Sequence, residues 1–280
     1  MIAKAQAVIS PFILVKSAGE MATGVAWRLY MANMRRICML DLDAPLCVRR
    51  QVSFCSALEA GAAVVEGVRA VAARDRDEVE AAWAAQKIPV VRTTDWARID
   101  GLVPEVVIDA ILAKRNLGTR KDEAPLVISL GPGFTAGEDC HLVIETNRGH
   151  DLGRIIASGS AEPNTGIPGD IAGYTDERVL RAPTAGIFQT QWNIGDRIRR
   201  NEVIGEVAGE RVIARLDGML RGLIRPGTAV AAGLKIGDID PRAKREYCQT
   251  ISDKARAIAG AVLEGVMRYR NRPPPPGPAR

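Results

Sequence analysis

Phe12-Ile13-Leu14-Val15-Lys16-Ser17-Ala18-Gly19-Glu20-Met21-Ala22-Thr23-Gly24 decides the fold of the first half of the chain. Phe12 to Val15 is a short apolar run of strand character, a glycine-bearing turn follows, and Val25 to Ala32 reads as helix. A second apolar run, Ile37 to Leu40, ends in Asp41. Strand, glycine turn, helix, strand and acid is the order of a dinucleotide-binding unit, where helix amides face a phosphate and the acid a ribose hydroxyl. Asp41 follows Gly19 at close to the usual spacing of about 20 residues. Of the full G-x-G-x-x-G/A pattern only Gly19 and Ala22 are present, with Ser17 at the first glycine position. The same turn also serves folds that use it for packing alone.

Further apolar runs follow at Ile88 to Val91 and Val106 to Ile108, with a charged, helix-like stretch from Asp75 to Gln86. Strands alternating with helices imply a parallel sheet with crossovers, and ligands of such sheets collect beyond the carboxyl ends of the strands. Gly19, Asp41 and Asp109 fall at that edge. The fold class is therefore α/β, with a Rossmann-like parallel-sheet domain over residues 10–113.

Residues 114–177 form a middle region dense in Gly, Asn, Thr and Arg. It runs through Lys114-Arg115-Asn116-Leu117-Gly118-Thr119-Arg120, the strand-like Leu126 to Leu130, Gly131-Pro132-Gly133-Phe134, and Glu145-Thr146-Asn147-Arg148-Gly149-His150. Basic side chains and small donors hold phosphate oxygens or the polar edge of a heterocycle, although surface turns favour Gly and Asn as well. No G-x-S-x-G elbow accompanies the two histidines, His141 and His150, so a serine hydrolase is not indicated. Cys140 and His141 are adjacent and no CxxC or HxxxH supplies partners, so no metal site is expected. Cys140 and Cys248 stand out as thiols without an assigned role.

Net charge is +5 over 280 residues and is spread along the chain, which suits an anionic small-molecule ligand. Aromatics make up 4%, too few for stacking platforms, so no nucleic acid partner is expected. Five cysteines without a CxxC pair suit a reducing compartment. No signal-peptide pattern and no apolar run of about 20 residues occurs, so the expectation is a cytoplasmic chain without a membrane partner. Self-association is left open.

The last third carries an internal repeat with an offset of 32 residues. Ala182 aligns with Ala214, Gly186 with Gly218, Gly195 with Gly227, Ile204 with Ile236 and Gly205 with Gly237. Glycines at fixed offsets mark tight turns between short strands. Residues 178–241 resemble a biotinyl/lipoyl-type barrel-sandwich hybrid, in which two halves interlock about a pseudo-twofold axis. The joining segment, Ala208-Gly209-Glu210-Arg211, has no lysine, so biotin or lipoate attachment is not expected. Ser252 caps a helix within residues 242–270, whose Ala255, Ile258, Ala259, Val262, Leu263 and Val266 form an apolar face. The proline-rich residues 271–280 read as a disordered tail.

Several longer strings resemble one family: Val15-Lys16-Ser17-Ala18-Gly19-Glu20-Met21-Ala22-Thr23-Gly24, Arg49-Arg50-Gln51-Val52-Ser53-Phe54, Asp109-Ala110-Ile111-Leu112-Ala113-Lys114-Arg115-Asn116, Gly131-Pro132-Gly133-Phe134, Glu145 to His150, and Thr250-Ile251-Ser252-Asp253-Lys254-Ala255-Arg256. They are similar to YqeB-type accessory proteins of selenium-dependent molybdenum hydroxylases, whose N-terminal domain resembles the XdhC/CoxI maturation factors. The resemblance spans about residues 10–268 and departs at Ser17, where the family more often has Gly. It implies a maturation factor that handles molybdenum cofactor in pterin dinucleotide form, with a molybdenum hydroxylase apoprotein and other cofactor-maturation proteins as partners. Together with the loop composition, it places cofactor contacts at Ser17, Gly19, Glu20, Thr23, Asp41, Arg49, Lys114, Arg115, Asn116, Gly131, Gly133, Asn147 and Arg148. No residue is marked out as catalytic. Two other readings stand beside it: an NAD(P)-dependent oxidoreductase using the same turn, and a scaffold that docks a hydroxylase through the barrel.

Overall fold

The computed structural model describes residues 10–273. Strand β1 (Ile13–Lys16) leads through Gly19 into α1 (Glu20–Met31) and β2 (Ile37–Asp41). Two 3-10 turns and the short α2 (Ala57–Ala60) precede the hairpin of β3 (Ala62–Val65) and β4 (Val68–Ala73). Then come α3 (Arg76–Ala84), β5 (Ile88–Arg92), α4 (Thr93–Trp96), β6 (Val106–Asp109) and β7 (Leu126–Leu130). Short strands β8 (Thr135–Ala136), β9 (Leu142–Ile144), β10 (Ile155–Ile156) and β11 (Gly159–Ser160) complete this half.

Nine of these strands form one sheet in the order β10-β9-β7-β6-β1-β2-β5-β4-β3, and β8 pairs with β11 outside it. All neighbours in the large sheet are parallel except at the two edges, where β3 with β4 and β9 with β10 run antiparallel. Alternation along β1 sorts the core. Ile13 and Val15 join Val25, Leu29 and Met39 under α1, while Phe12 and Leu14 join Leu40, Val79 and Trp83 under α3. A fully buried Ile or Leu of this kind contributes about 1.5–3 kcal/mol. Asp75 caps α3 by accepting from the Glu78 amide at 2.9 Å.

The sheet does not stop at residue 113. Leu126–Leu130 is buried at every position and pairs in register with β6, and β9 extends the sheet beyond it. The boundary at 113 fails because β6 and β7 are joined by an irregular loop with one 3-10 turn rather than by a crossover helix. Helix α1 also begins earlier than Val25, directly after Gly19.

The barrel follows. It comprises β12 (Val179–Arg181), β13 (Gly186–Gln189), β14 (Arg197–Ile198), β15 (Val203–Val207), β16 (Glu210–Ile213), β17 (Gly218–Leu223), β18 (Ala229–Val230) and β19 (Lys235–Asp240). Its two four-stranded sheets run β12-β19-β17-β14 and β16-β15-β13-β18. Each sheet takes two strands from each copy of the repeat, and the registers correspond. Phe188 opposes Val207 as Leu220 opposes Ile239, and Gly186 opposes Val230 as Gly218 opposes Ile198. The copies exchange strands because neither alone closes the apolar interior of Phe188, Ile204, Leu220 and Ile236. A Cβ on Gly205 would lie 2.4 Å from the Gln189 carbonyl oxygen, which accounts for the glycine there. The copies meet at a hairpin whose Ala208 and Gly209 both have positive φ.

After the barrel, α5 (Asp253–Arg270) returns to the first half. Ser252 caps it, accepting from the Ala255 amide at 3.3 Å. Its buried Ala255, Ile258, Ala259, Val262 and Val266 join the core under the large sheet, against α1. It supplies the layer that the missing crossover helix leaves open, with Gly265 close to Ile128 and Leu142. Helix α5 is therefore part of the sheet half, while the turn before it packs on the barrel, with Cys248 in the barrel core. Of the segment read as a tail, residues 274–280 lie outside the described residues.

Gly24 lets α1 and α5 meet, since a Cβ there would sit 3.0 Å from that of Ala255. Gly24→Leu should lower unfolding free energy by about 1–3 kcal/mol, as overpacked helix contacts do, in urea denaturation. An unchanged midpoint would show that the helices part without cost.

Candidate functional site

The sheet reverses its winding between β1 and β6, whose ends meet with Lys16 beside Asp109. Such a switch point leaves a crevice at the carboxyl ends of the strands. Here it opens into a chamber of about 1250 Å³. Leu14, Leu40, Trp96, Val107, Leu112 and Leu117 supply apolar wall, and Ser17, Gly19, Glu20, Asp41 and Arg49 border it. Buried Asp109 accepts from Thr119 Oγ1 at 2.6 Å, and Lys16 donates to Thr119 Oγ1 at 2.7 Å while pairing with Glu123 at 2.6 Å.

The glycine turn is largely occupied with itself. Asp41 accepts from the Ala18 amide at 2.7 Å and from the Leu42 amide at 2.8 Å. Ser17 Oγ accepts from the Gly19 amide at 3.1 Å. Burial holds the Asp41 carboxyl above its ordinary value, against the opposing effect of those two amides. Ser17 has φ +89°, a region that favours glycine, so this position is one where the backbone itself asks for the family's residue.

A second cavity, about 480 Å³, adjoins the chamber at Glu20, Met21, Lys235 and Lys254. It lies where the sheet half meets the barrel. Lys114 and Arg148 come from the loops after β6 and β9, Lys254 from the start of α5, and Arg178, Arg181 and Lys235 from the barrel. Glu162 and Asp253 offset part of this charge. Arg148 makes a two-pronged bond to Asp253, at 2.7 and 2.9 Å, and Lys114 donates to Asn164 Oδ1 at 3.0 Å. Burial, with the charges of Lys114 and Arg148, pushes the Lys254 ammonium below its ordinary range. This is a basic annex to an apolar chamber, suited to a ligand with a flat heterocycle and phosphates.

The residues singled out in the sequence divide accordingly. Ser17, Gly19, Glu20, Asp41 and Arg49 border the chamber, and Lys114, Asn147 and Arg148 border the annex with Glu20. The other five support loops. Thr23 is buried, donating to the Ala18 carbonyl and accepting from the Phe54 amide. Asn116 Oδ1 accepts from the Gly118 and Thr119 amides, closing its own turn. Gly131, φ +78°, leaves room for Thr146, and Gly133 for the backbone of Arg115. Asn147 donates to Glu162 at 2.5 Å, while buried Glu145 accepts from the amides of both residues. Arg49 is 5% exposed, pairs with Glu20 at 2.9 Å, and donates to the carbonyls of Tyr247 and Thr250 at 2.7 and 3.0 Å.

Sequence reasoning missed Arg178, in the 3-10 turn before β12, and Arg181, Arg221 and Lys235 on barrel strands, all of which reach the cavity only through domain packing. Lys254 fell inside a quoted family string, which was its one signal. No group of three or more metal-ligating side chains occurs among the described residues. No helix among them is long and apolar enough to cross a membrane.

No family model matches the chain. It is a homologue of a protein of Escherichia coli (strain K12) described as uncharacterized protein YqeB, 49% identical over 255 residues. The match covers 91% of this chain and 47% of that one, so the chain spans about half the length of this curated relative. Two solved structures are weakly similar. One is a succinylglutamatedesuccinylase/aspartoacylase from Rhodobacter sphaeroides, TM-score 0.22 and 20% identity, over 31% of this chain and 30% of that one. The other is an aspartoacylase family protein from Mesorhizobium loti, TM-score 0.26 and 12% identity, over 84% of this chain and 87% of that one.

Two outcomes follow from this geometry. Arg148 holds the Asp253 carboxyl down to about 2, so this ion pair persists above the ordinary carboxylate range and is lost as pH falls through about 2. In Arg148→Ala the Asp253 carboxyl carbon should titrate near the ordinary 3.8 by NMR; an unmoved midpoint would break the assignment. Arg49→Met should cost roughly 3 kcal/mol in thermal unfolding, because Glu20 and two carbonyls lose a buried partner.

Proposed function

We propose that the chain is a cofactor-handling accessory protein. It binds the pterin dinucleotide form of molybdenum cofactor in the cleft between sheet and barrel and serves a selenium-dependent molybdenum hydroxylase. The observation behind this reading is the continuity of an apolar chamber of about 1250 Å³ with a cation-rich annex of about 480 Å³. The chamber suits a heterocycle and the annex suits phosphates, so the residues present fit such a ligand. The Ala18 and Gly19 amides of the glycine turn are already bonded within the protein. Lys114, Arg148, Lys235 and Lys254 are accordingly the groups to hold a pyrophosphate, with charge-assisted bonds of about 1.5–3 kcal/mol each.

The nicotinamide reading shares the switch point but has less behind it. Both carboxylate oxygens of Asp41, the ribose-binding acid of that reading, accept backbone amides, and Glu20 places a carboxylate in the first turn of α1.

Calorimetry separates the two. The purified protein should bind pterin dinucleotide cofactor more tightly than NAD, with affinity falling as salt rises. Lys114→Ala combined with Arg148→Ala should weaken binding by roughly 10- to 100-fold. Unchanged affinity in the double variant would remove the annex from the site, and tighter binding of NAD would replace the pterin reading.

A further inference from the structure

Most charged groups that border the chamber are committed elsewhere. Arg49 is held by Glu20 and two carbonyls, Asp41 by two backbone amides, and Lys235 and Lys254 face the annex as well. Lys16 and Glu123 remain, 2.6 Å apart in a largely apolar wall. Their side chains are 20% and 21% exposed, so both heads are reachable from the chamber. Thr119 fixes the ammonium: its hydroxyl donates to buried Asp109 at 2.6 Å and so offers Lys16 a lone pair at 2.7 Å. Asn116 closes the turn at Thr119 and holds that hydroxyl in place. An ammonium carries three N–H donors. With Thr119 and Glu123 served one is left, and no other acceptor meets it among the described residues. Glu123 Oε1 accepts from the Arg120 amide at 3.0 Å, while Oε2 meets Lys16. A carboxylate offers about four acceptor sites, so Glu123 keeps acceptors beside the spare donor.

We propose that Lys16 and Glu123 are the pair that reads the heterocycle, and that they select a ring N–H flanked by an amino and an oxo group. This is the 2-amino-4-oxo edge of a pterin or a guanine. The Lys16 ammonium donates to the oxo group, and the Glu123 carboxylate accepts from the ring N–H and the amino group beside it. Donor and acceptor stand next to each other as this edge requires. A ring with an amino group in place of the oxo, as in adenine, turns donors toward the ammonium and leaves both unmet in an apolar wall, which is costly. The assignment rests on the cofactor reading. It adds which end of the ligand enters the chamber and what recognises it.

The test measures binding of pterin and of lumazine, its 2-oxo analogue, to the full chain by quenching of ring fluorescence. The wild type should bind pterin roughly 10- to 100-fold more tightly, because lumazine sets an oxo group against the Glu123 carboxylate. Lys16→Met should weaken both rings, which share the 4-oxo group, and keep the preference. Glu123→Gln, which can donate an N–H to the 2-oxo group, should abolish or reverse it. The ratio is read within each protein, so partial unfolding of a variant does not alter it. A wild type without preference, a preference that survives Glu123→Gln, or unchanged affinities in Lys16→Met would overturn the proposal and leave the cofactor reading standing. So would failure of pterin to bind a chain that binds the dinucleotide, whereas binding of neither would overturn both.

Discussion

The Arg49 guanidinium holds together parts of the chain that are far apart in sequence. One arm pairs with Glu20 in the first turn of α1, and another bonds carbonyls of Tyr247 and Thr250 in the segment that precedes α5. A buried cation is costly without charged and hydrogen-bonding partners. Glu20 and the two carbonyls supply them at the two terminal nitrogens, while Nε has none, so this contact fixes where the chain re-enters the sheet half after the barrel. Its neighbours extend the clasp. Arg50 donates to the Leu223 carbonyl, the Leu223 amide donates to the Val48 carbonyl, and Arg225 pairs with Glu59. The same loop carries the chamber wall on its inner side, so the junction that joins the two halves also shapes the cleft.

The barrel is duplicated in sequence but not in use. At equivalent positions the first copy has Gln189, Glu206 and Ala208, all exposed, and the second has Arg221, Asp238 and Asp240, all buried. Asp238 accepts from both Arg178 and Arg221, and Asp240 from Arg242. Burial opposes the ionisation of Asp238, yet Lys235, Arg221 and Arg178 hold its carboxyl below the ordinary range. One face of the pseudo-symmetric body has become an interface and the other has stayed a surface. That difference turns a generic module into a wall of the annex.

Local signals were legible in the sequence. The turn at Gly19, the cap residue Ser252 and the repeat were all visible because each depends on residue type at short spacing. Contacts between distant segments were not. The apolar face of α5 was plain, but no periodicity says which surface it covers, and the boundary at residue 113 followed the change to a Gly-, Asn- and Arg-rich composition although the sheet continues into β7. Of the site, the residues around Gly19 and the cations Lys114 and Arg148 were found, because they lie in loops after strands. Arg178 lies in the turn before the barrel and Arg181 and Lys235 on its strands, where a basic residue looks like ordinary solvated surface. Ser17 was seen as a departure from pattern, and its φ of +89° shows what that position demands.

The return of α5 to the sheet bears on how the protein forms during synthesis. The apolar underside of β7 and β9 emerges from the ribosome early, but the helix that covers it follows only after the whole barrel has been made. The sheet half is thus discontinuous in the chain, with the barrel inserted within it. Long-range closure of this kind slows folding and leaves unpaired apolar surface exposed meanwhile. The barrel, built from contacts within one contiguous stretch, can condense first and serve as the tether that brings the ends of the sheet half together.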